Sequence, residues 1–259
     1  MVNSIGFLQV AASSLLVLLA LGLSWWLRLH LERRLIVASL RAAVQLVAVG
    51  LIFRAVFDSD RAMALSVLWV LVMLGVGATV VRNRAGALPR VGMWAVLAMG
   101  LATAIADAVV FGLDVLPADP VTVVVTSGIT IGNTVPAAAL AANRLIGALT
   151  SDRGQIEALL ALGFDVGGTV RQTLPELVGG ALIPQIERTR GVGLIALPGA
   201  MTGLLLAGTA PMDAVLIQLI VMYLIVGSVA VTVVVVSAAG LASALRPELR
   251  VPDLAATET

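Results

Sequence analysis

The chain has 259 residues, of which 60% are hydrophobic and only 12% are charged, and its formal net charge is +1. Soluble domains contain about 45–50% apolar and about 25% charged residues, so this composition leaves too little polar surface to cover a globule in water. The sequence therefore predicts an integral membrane protein. It has no cysteine, which excludes disulfides and thiolate metal sites, and no lysine, so all sixteen basic residues are arginine.

Seven apolar stretches come close to the roughly 20 residues that a helix needs to cross the hydrocarbon core of a bilayer. They predict an all-α integral membrane protein with about seven transmembrane helices in one domain, residues 1–245, and a short tail, residues 246–259. The sixth stretch is short and rich in glycine, and the seventh continues without charge to Leu245. In chain order, the predicted spans cover residues 5–27, 35–57, 62–81, 91–113, 121–148, 192–207 and 214–239.

The arginines are distributed unequally between the loops that these spans define. The loops on one side and the tail contain thirteen of the sixteen arginines, whereas the loops on the other side contain only Arg54 and Arg61, and Arg41 lies within span two. Cytoplasmic loops of membrane proteins are enriched in basic residues. We therefore expect the N-terminus outside, the C-terminus and tail in the cytoplasm, and a multi-pass protein of the plasma or inner membrane.

Span two carries two polar side chains, Arg41 and Gln45, which share a helix face because they are four residues apart. An ionisable residue within a span is costly and is a functional candidate by default. Two interpretations stay open. Arg41 snorkels to the cytoplasmic surface, or, with Gln45, it lines the inner mouth of a translocation path or braces a dimer.

Span four contains Asp107, the one clear carboxylate within a predicted span. It lies about 16 residues, hence about 24 Å, from the cytoplasmic end of that span, so we place it near the outer mouth. There it either contacts exported cations or lies in the water of the headgroup region. Asp107 is the one candidate metal ligand that the spans offer.

Span five contains the sequence GITIGNTVP at residues 128–136. Pro136 cannot donate a hydrogen bond to the carbonyl of Gly132, and Asn133 lies beside that freed carbonyl. Because a polar kink is costly in lipid, it should face protein or a water-filled cavity. Asn133 and Pro136 therefore form a hinge, a substrate contact, or a packed kink that a neighbouring helix satisfies.

The segment between spans five and six, residues 150–190, is not membrane-like. A capping residue, Ser151 or Asp152, should begin a short helix with a largely apolar face, and Gly163 should end it. A second helix over about 167–185 should be interrupted by its two prolines. The short helix either rests on lipid or docks a soluble partner.

Spans six and seven contain the remaining polar or conformationally special residues. Pro198 and Gly199 form a second proline–glycine break, followed by Met201 and Gly203, and span seven contains Gln218. Gly199 and Gly203 make a small-xxx-small pattern that lets helices approach closely, so this stretch is a packing face or a gate. Candidate residues of the translocation path or its gate are Pro198, Gly199, Met201 and Gln218, together with Arg41, Gln45, Asp107, Asn133 and Pro136.

The short cytoplasmic helix resembles a known docking element. Glu157-Ala158-Leu159, followed three residues later by Gly163, is similar to the EAA loop of ABC-transporter permeases. That loop usually continues to Ile-x-Leu-Pro, whereas this chain has Thr173-Leu174-Pro175 one residue early.

Further stretches resemble the FetB-type permease family over roughly residues 35–236, nearly the whole chain. The most specific of them is PGAMTG at 198–203. The stretches that carry the resemblance are RAAVQL at 41–46, Gly132-Asn133, Glu157 to Gly163, Leu197 to Gly203 with Ala207-Gly208 and Pro211, and Gln218.

The resemblance implies the permease subunit of an ABC transporter, linked in this family to bacterial iron export and, in plant relatives, to aluminium tolerance. It implies a homodimer with two ATP-binding subunits, coupled to them through Glu157, Ala158, Leu159 and Gly163. A chain without lysine has no Walker A motif, so ATP and Mg belong to the partner subunit. We expect no cofactor bound by this chain, no catalytic residue and no nucleic-acid partner.

The residues alone leave the cargo and the energy source open. Fe(II) favours imidazole and carboxylate ligands, yet no predicted span contains histidine. Another metal or a small solute is an alternative cargo, and a secondary transporter driven by protons through Asp107 is an alternative mechanism. An intramembrane enzyme is not expected, because the spans lack a second aspartate and the histidines of a metalloenzyme motif.

Overall fold

The computed structural model describes the backbone of residues 7–245 and the side chains from residue 12 onward. This part of the chain forms nine α-helices and no β-strand, which confirms the all-α class. In chain order the helices are α1 (Phe7–Trp26), α2 (Glu32–Phe57), α3 (Ala62–Arg84), α4 (Val91–Gly112), α5 (Pro120–Thr150), α6 (Arg153–Ala161), α7 (Val166–Arg190), α8 (Gly199–Leu206) and α9 (Pro211–Leu245).

Five of these helices, α2, α3, α4, α5 and α9, are long and apolar enough to cross a membrane. They coincide with predicted spans two to five and seven. α1 adds a shorter apolar stretch, Ala12–Trp26, within predicted span one. α5 has 31 residues and α9 has 35, so both are longer than a straight crossing requires.

The predicted sixth span, residues 192–207, differs from the observed helix. Only Gly199–Leu206 is helical, and its eight residues extend about 12 Å, less than half of a bilayer core. Turns precede this helix, where Gly193 has a φ of +88° and Pro198 has extended backbone. The structure therefore corrects this element to an eight-residue helix, and a total of seven crossings stays a prediction.

The predicted interruption of the second helix in segment 150–190 is wrong. α7 continues from Val166 to Arg190 through both Pro175 and Pro184. Both prolines are exposed, on the side of the helix where water can bind the carbonyls that they leave without a donor. The buried side chain of Leu177 holds the opposite side of α7 against the core.

α5 lies at the centre of the fold and packs against α3, α4, α7 and α9. Small residues dominate this contact: Ala138, Ala141 and Ala142 of α5 are fully buried. Small side chains let helix backbones approach closely, which is how membrane helices gain packing energy without a hydrophobic driving force between them.

The start of α5 is fixed by Asp119. Its Oδ1 accepts hydrogen bonds from the backbone N–H groups of Val121 and Thr122 at 2.9 and 3.0 Å, and its Oδ2 accepts one from the Thr122 hydroxyl at 2.7 Å. These bonds, above all that from the Thr122 hydroxyl, hold the pKa of Asp119 below its ordinary value. Pro120 takes the first helical position, where no N–H is needed.

The contact between α5 and α9 leads to a stability prediction at Gly240. A Cβ added there would lie 2.7 Å from Cδ2 of Leu145, which is fully buried. We expect Gly240→Ala to lower the free energy of unfolding by about 1–3 kcal/mol, because an extra methyl in a packed core displaces its neighbours. Thermal unfolding of the purified protein in detergent measures the loss.

The matched control is Gly227→Ala on the same helix, where an added Cβ would meet nothing within 4 Å. Alanine favours a helix over glycine, so this variant should unfold at the same or a higher temperature than the parent. Equal unfolding temperatures for the two variants would contradict the close approach at Gly240.

Three helices, α1, α2 and α8, lie at the edge of the fold. α2 contacts α1 and α3 but has no buried residue along its 26 residues, and α8, which packs on α9, has none either. The sides of these helices are therefore open to lipid or to another chain. The predicted tail, residues 246–259, and the first residues of predicted span one lie outside the described residues, and the orientation in the membrane stays a prediction.

Candidate functional site

Asp107 of α4 is held by two hydroxyl groups of α5. The Thr126 hydroxyl donates to Oδ1 at 3.1 Å, and the Ser127 hydroxyl donates to Oδ2 at 2.8 Å. Asp107 is half-buried, and both hydroxyl residues are buried. We call these three residues the outer polar cluster, after the outer position that the sequence predicts for Asp107. Its carboxylate and hydroxyl oxygens have lone pairs left to accept a proton or contact a hard cation.

Sequence reasoning singled out Asp107 but missed Thr126 and Ser127. The signal that identifies them is the loop between α4 and α5, because it joins two antiparallel helices. Asp107 lies five residues before the end of α4, and Thr126 lies six residues after the start of α5. Residues equally distant from such a loop meet side by side, so the polar pair of α5 could have been placed against Asp107.

The proline of span five lies within a continuous helix. α5 runs through Pro136, and Nδ2 of Asn133 donates to the carbonyl oxygen of Ile129 at 2.8 Å. The described hydrogen bond of Asn133 thus goes to its own preceding turn and not to the carbonyl of Gly132. That carbonyl lacks the usual donor, because residue 136 has no N–H.

Pro136 lies on a side of α5 that no other described helix covers. Val121, Val125, Gly132 and Pro136 are all exposed, and an added Cβ at Gly132 would meet nothing within 4 Å. We call these residues the open face of α5. A carbonyl without a donor is not stable in lipid, so this face requires water or a second protein chain.

Arg41 and Gln45 lie apart from the outer polar cluster, on the exposed side of α2. Within residues 12–245, neither side chain makes a hydrogen bond or a salt bridge, and no ion pair joins Arg41 to Asp107. Arg41 and Gln45 therefore lie next to each other on α2 but near none of the other candidate residues of the translocation path.

Pro198, Gly199 and Met201 lie at the start of α8. The carbonyl of Pro198 accepts a hydrogen bond from the Thr202 hydroxyl at 3.1 Å, which closes the first turn. An added Cβ at Gly199 or Gly203 would meet nothing within 4 Å. The small-residue side of α8 thus touches no other helix of the described chain.

Gln218 of α9 is 5% exposed, and its Oε1 has no hydrogen-bond partner in the described part of the chain. The hydroxyls of Ser66 and Thr130 are buried and unpartnered as well. Each of the three lies within ten residues of the end of its helix that is predicted to be external. An unpaired buried polar group costs about 1–3 kcal/mol, so water or a ligand that supplies the missing bonds is stabilised there.

The four coupling candidates lie in α6 or directly after it. Ile156 is buried and anchors the helix, while Glu157 and Ala158 are exposed and Leu159 is half-buried. Gly163 has a φ of +87°, and its N–H donates back to the helix at 3.0 Å. The predicted end of this helix at Gly163 is therefore confirmed.

The outer side of α6 and its exit form an exposed, partly apolar surface. Leu162 is 77% exposed and Phe164 is 39% exposed. Arg153 and Glu157 form an ion pair at 2.6 Å along the helix. We call this surface, residues 157–164, the α6 knob.

A polar crevice of 290 Å³ lies behind α6, at its junction with α5 and α7. Arg144 of α5, Asp152 before α6 and Glu176 of α7 lie along it. Gly180 of α7 lies directly against the guanidinium of Arg144, where a side chain would overlap it. The last turns of α5 are thus in contact with both α6 and α7.

No group of three or more histidine, aspartate or glutamate side chains lies close enough to hold a metal ion within the described residues. The outer polar cluster offers one carboxylate and two hydroxyls. Such a set suits transient contact with a hydrated cation better than a tight metal cage.

The five long apolar helices of the described residues are those of a multi-pass membrane protein. The chain belongs to the UPF0014 family, because the model of that family, described as an uncharacterised protein family, matches residues 7–244.

Curated relatives support this membership. The UPF0014 membrane protein YjkA of Bacillus subtilis is 30% identical over 89% of this chain and 92% of its own length. The UPF0014 membrane protein STAR2 of rice, Oryza sativa subsp. japonica, is 33% identical over 86% of this chain and 78% of its own length. The probable iron export permease protein FetB of Escherichia coli K12 is 27% identical over 88% of this chain and 87% of its own length. The resemblance to the FetB-type family is thereby confirmed, and no solved structure matches the chain.

Proposed function

We propose that this chain is the permease subunit of an ABC transporter that exports iron and is driven by a separate ATP-binding subunit. The observation that carries the proposal is the α6 knob. It is anchored through the buried Ile156 yet presents Ala158, Leu162 and Phe164 outward. A short helix with an exposed apolar side and a buried anchor fits a docking element that enters a groove of a soluble partner.

The proposed source of energy is ATP hydrolysis in a partner subunit. Without lysine, this chain cannot form a Walker A phosphate loop, so ATP and Mg are bound by the partner subunit. A second copy of the permease completes the assembly. The open face of α5 supports this, since the Gly132 carbonyl lacks its usual donor and needs protein or water in a membrane. The uncovered Gly199 and Gly203 of α8 also leave room for another helix to approach closely.

The cargo assignment is supported by FetB, whose name describes a probable iron export permease. The outer polar cluster agrees with a cation as cargo. Asp107 presents a carboxylate, a ligand type that Fe(II) accepts, beside the hydroxyls of Thr126 and Ser127. A weak oxygen site releases its ion readily, which conduction requires.

The experiment is co-purification of the tagged chain from native membranes, with the bound ATPase identified by the peptide that contains its Walker A motif. Glu157→Arg reverses the charge of the α6 knob and should reduce the recovered ATPase about tenfold. The helix itself should persist, because an exposed ion pair within a helix contributes only about 0.3–0.5 kcal/mol.

The matched control is Glu187→Arg, because Glu187 makes the same kind of exposed pair with Arg190 at 2.7 Å on α7. This variant should retain the ATPase at the level of the parent. If the parent recovers no ATPase yet transports, or if both variants recover equal amounts, the docking role of α6 is wrong.

The alternative function is proton-coupled secondary transport, which the hydrogen-bonded carboxylate of Asp107 favours. Asp107→Asn tests it, because the amide keeps one oxygen that accepts a hydroxyl hydrogen bond but cannot carry a proton. In proteoliposomes with the ATPase, we expect ATP-driven cation export to fall about tenfold while ATP hydrolysis continues. Transport that responds to a pH gradient without ATP, and loses that response in Asp107→Asn, would instead establish the alternative.

A further inference from the structure

We propose that the arginine side of α2 binds the headgroup phosphate of an anionic phospholipid. A groove of 630 Å³ runs along this side and is lined by Arg33, Arg34, Val37, Ala38, Arg41, Ala42 and Gln45. Three of these seven residues are cationic and none is acidic. All seven are exposed, and α2 has no buried residue that would turn this side toward the protein core.

The positive charge of the groove is not neutralised by the part of the chain that the structure describes. No salt bridge joins Arg33, Arg34 or Arg41 to a carboxylate there. The nearest acid in sequence, Glu32, instead accepts a hydrogen bond from the Ser24 hydroxyl at 2.8 Å. Three arginines without a counter-ion at a membrane surface favour an anion that the membrane itself supplies.

The neighbouring turn places this groove at headgroup depth. Trp25 and Trp26, at the end of α1, are 78% and 75% exposed and share a second groove with Arg28 and Glu32. Exposed tryptophans concentrate where the hydrocarbon meets the headgroups. The first turn of α2, with Arg33 and Arg34, therefore lies at the level of the lipid phosphates.

The spacing along α2 suits one phospholipid molecule. Arg41 lies seven residues beyond Arg34, about 10 Å farther along the helix axis, and its long side chain reaches back toward the phosphate level. Ala38 and Ala42 lie between the arginines, and their small side chains leave room for an acyl chain along the helix. The guanidinium groups bind phosphate oxygens through bidentate, charge-assisted hydrogen bonds.

A lipid explains Arg41 better than a cation path does. A positive side chain repels the cation that the proposed function exports, whereas it attracts a phosphate. The inference does not depend on the orientation of the chain in the membrane, because phosphates are present in both leaflets. The predicted cytoplasmic location of Arg33 and Arg34 would place the groove in the more anionic leaflet.

The test is native mass spectrometry of the protein released from nanodiscs that contain equal amounts of phosphatidylglycerol and phosphatidylcholine. The parent should retain phosphatidylglycerol preferentially. In the triple variant Arg33→Gln, Arg34→Gln, Arg41→Gln, the ratio of bound phosphatidylglycerol to bound phosphatidylcholine should fall at least about tenfold. Each arginine near the surface contributes about 1 kcal/mol to the binding of an anionic lipid. The triple lysine variant at the same positions should keep most of the preference.

The matched control removes three arginines from the next loop on the same predicted side, through Arg82→Gln, Arg84→Gln and Arg90→Gln, and should retain the preference. Equal loss in both triple variants, or no loss in either, would overturn the proposal. A second copy on this side is tested by Ala38→Cys, because the parent has no cysteine. Disulfide-linked dimers formed in membranes by that variant would show that protein, not lipid, covers the groove.

Discussion

The Gly163→Val variant should reach the membrane folded but lose ATP-driven transport. Gly163 has a φ of +87°, a backbone conformation that a β-branched residue adopts only with strain of about 1–2 kcal/mol or more. The least costly relief is to unwind the last turn of α6, which holds Gly163 through its hydrogen bond to Leu160. That movement displaces Leu162 and Phe164, so the α6 knob no longer presents one surface to the ATPase.

The measurement is transport and ATP hydrolysis in proteoliposomes that contain both subunits, and we expect roughly a tenfold loss of transport. The matched control is Gly154→Val in the first turn of the same helix, where an added Cβ would meet nothing within 4 Å and the backbone is helical. Its transport should stay near that of the parent. Full transport by the Gly163→Val chain would mean that the geometry of this exit does not matter for coupling.

The second large effect is expected at Pro136, where replacement by alanine should make the protein more stable but inactive. Alanine restores an N–H that can donate to the carbonyl of Gly132, and proline within a helix costs about 3 kcal/mol relative to alanine. If the kink is the hinge through which α6 acts on the membrane, a straight α5 hydrolyses ATP without moving cargo. We expect a higher unfolding temperature, continued ATP hydrolysis and at least a tenfold loss of export.

Pro120→Ala is the control for Pro136, because Pro120 occupies the first position of the same helix and interrupts no internal hydrogen bond. That variant should export at the level of the parent. Normal export with normal stimulation of ATP hydrolysis by the Pro136→Ala chain would show that the kink has only a packing role.

The apolar pattern was sufficient to place most of the membrane helices, because a run of about 20 uncharged residues has few alternatives to a crossing. It could not give the length of α8, since hydropathy does not report that Gly193 and Pro198 adopt non-helical backbone. It also could not show that Pro175 and Pro184 face outward. Whether a proline ends a helix depends on which side it occupies, and that side is set by tertiary packing.

The candidate site was predictable only in part for the same reason. Gly163 was found because a left-handed helix exit has a local signature in the sequence. The partners of Asp107 required the pairing of α4 with α5, which is a contact between distant positions. Arg41 has no counter-ion in the described structure because few helices pack against α2. That arrangement is a matter of tertiary packing, which no local sequence pattern predicts.

The length of α9 has a mechanical consequence. Thirty-five residues form a rod of about 52 Å, whereas the hydrocarbon core is about 30 Å thick, so α9 exceeds a straight crossing by about 20 Å. Leu241 and Leu245 on its final turns belong to the same buried cluster as Ile156, the anchor of α6. Because α9 is one continuous helix, a displacement of its final turns is transmitted along its axis to the opposite end, where Gln218 lies. One unbroken helix therefore joins the buried cluster around Ile156 to the end of the fold that is predicted to be external.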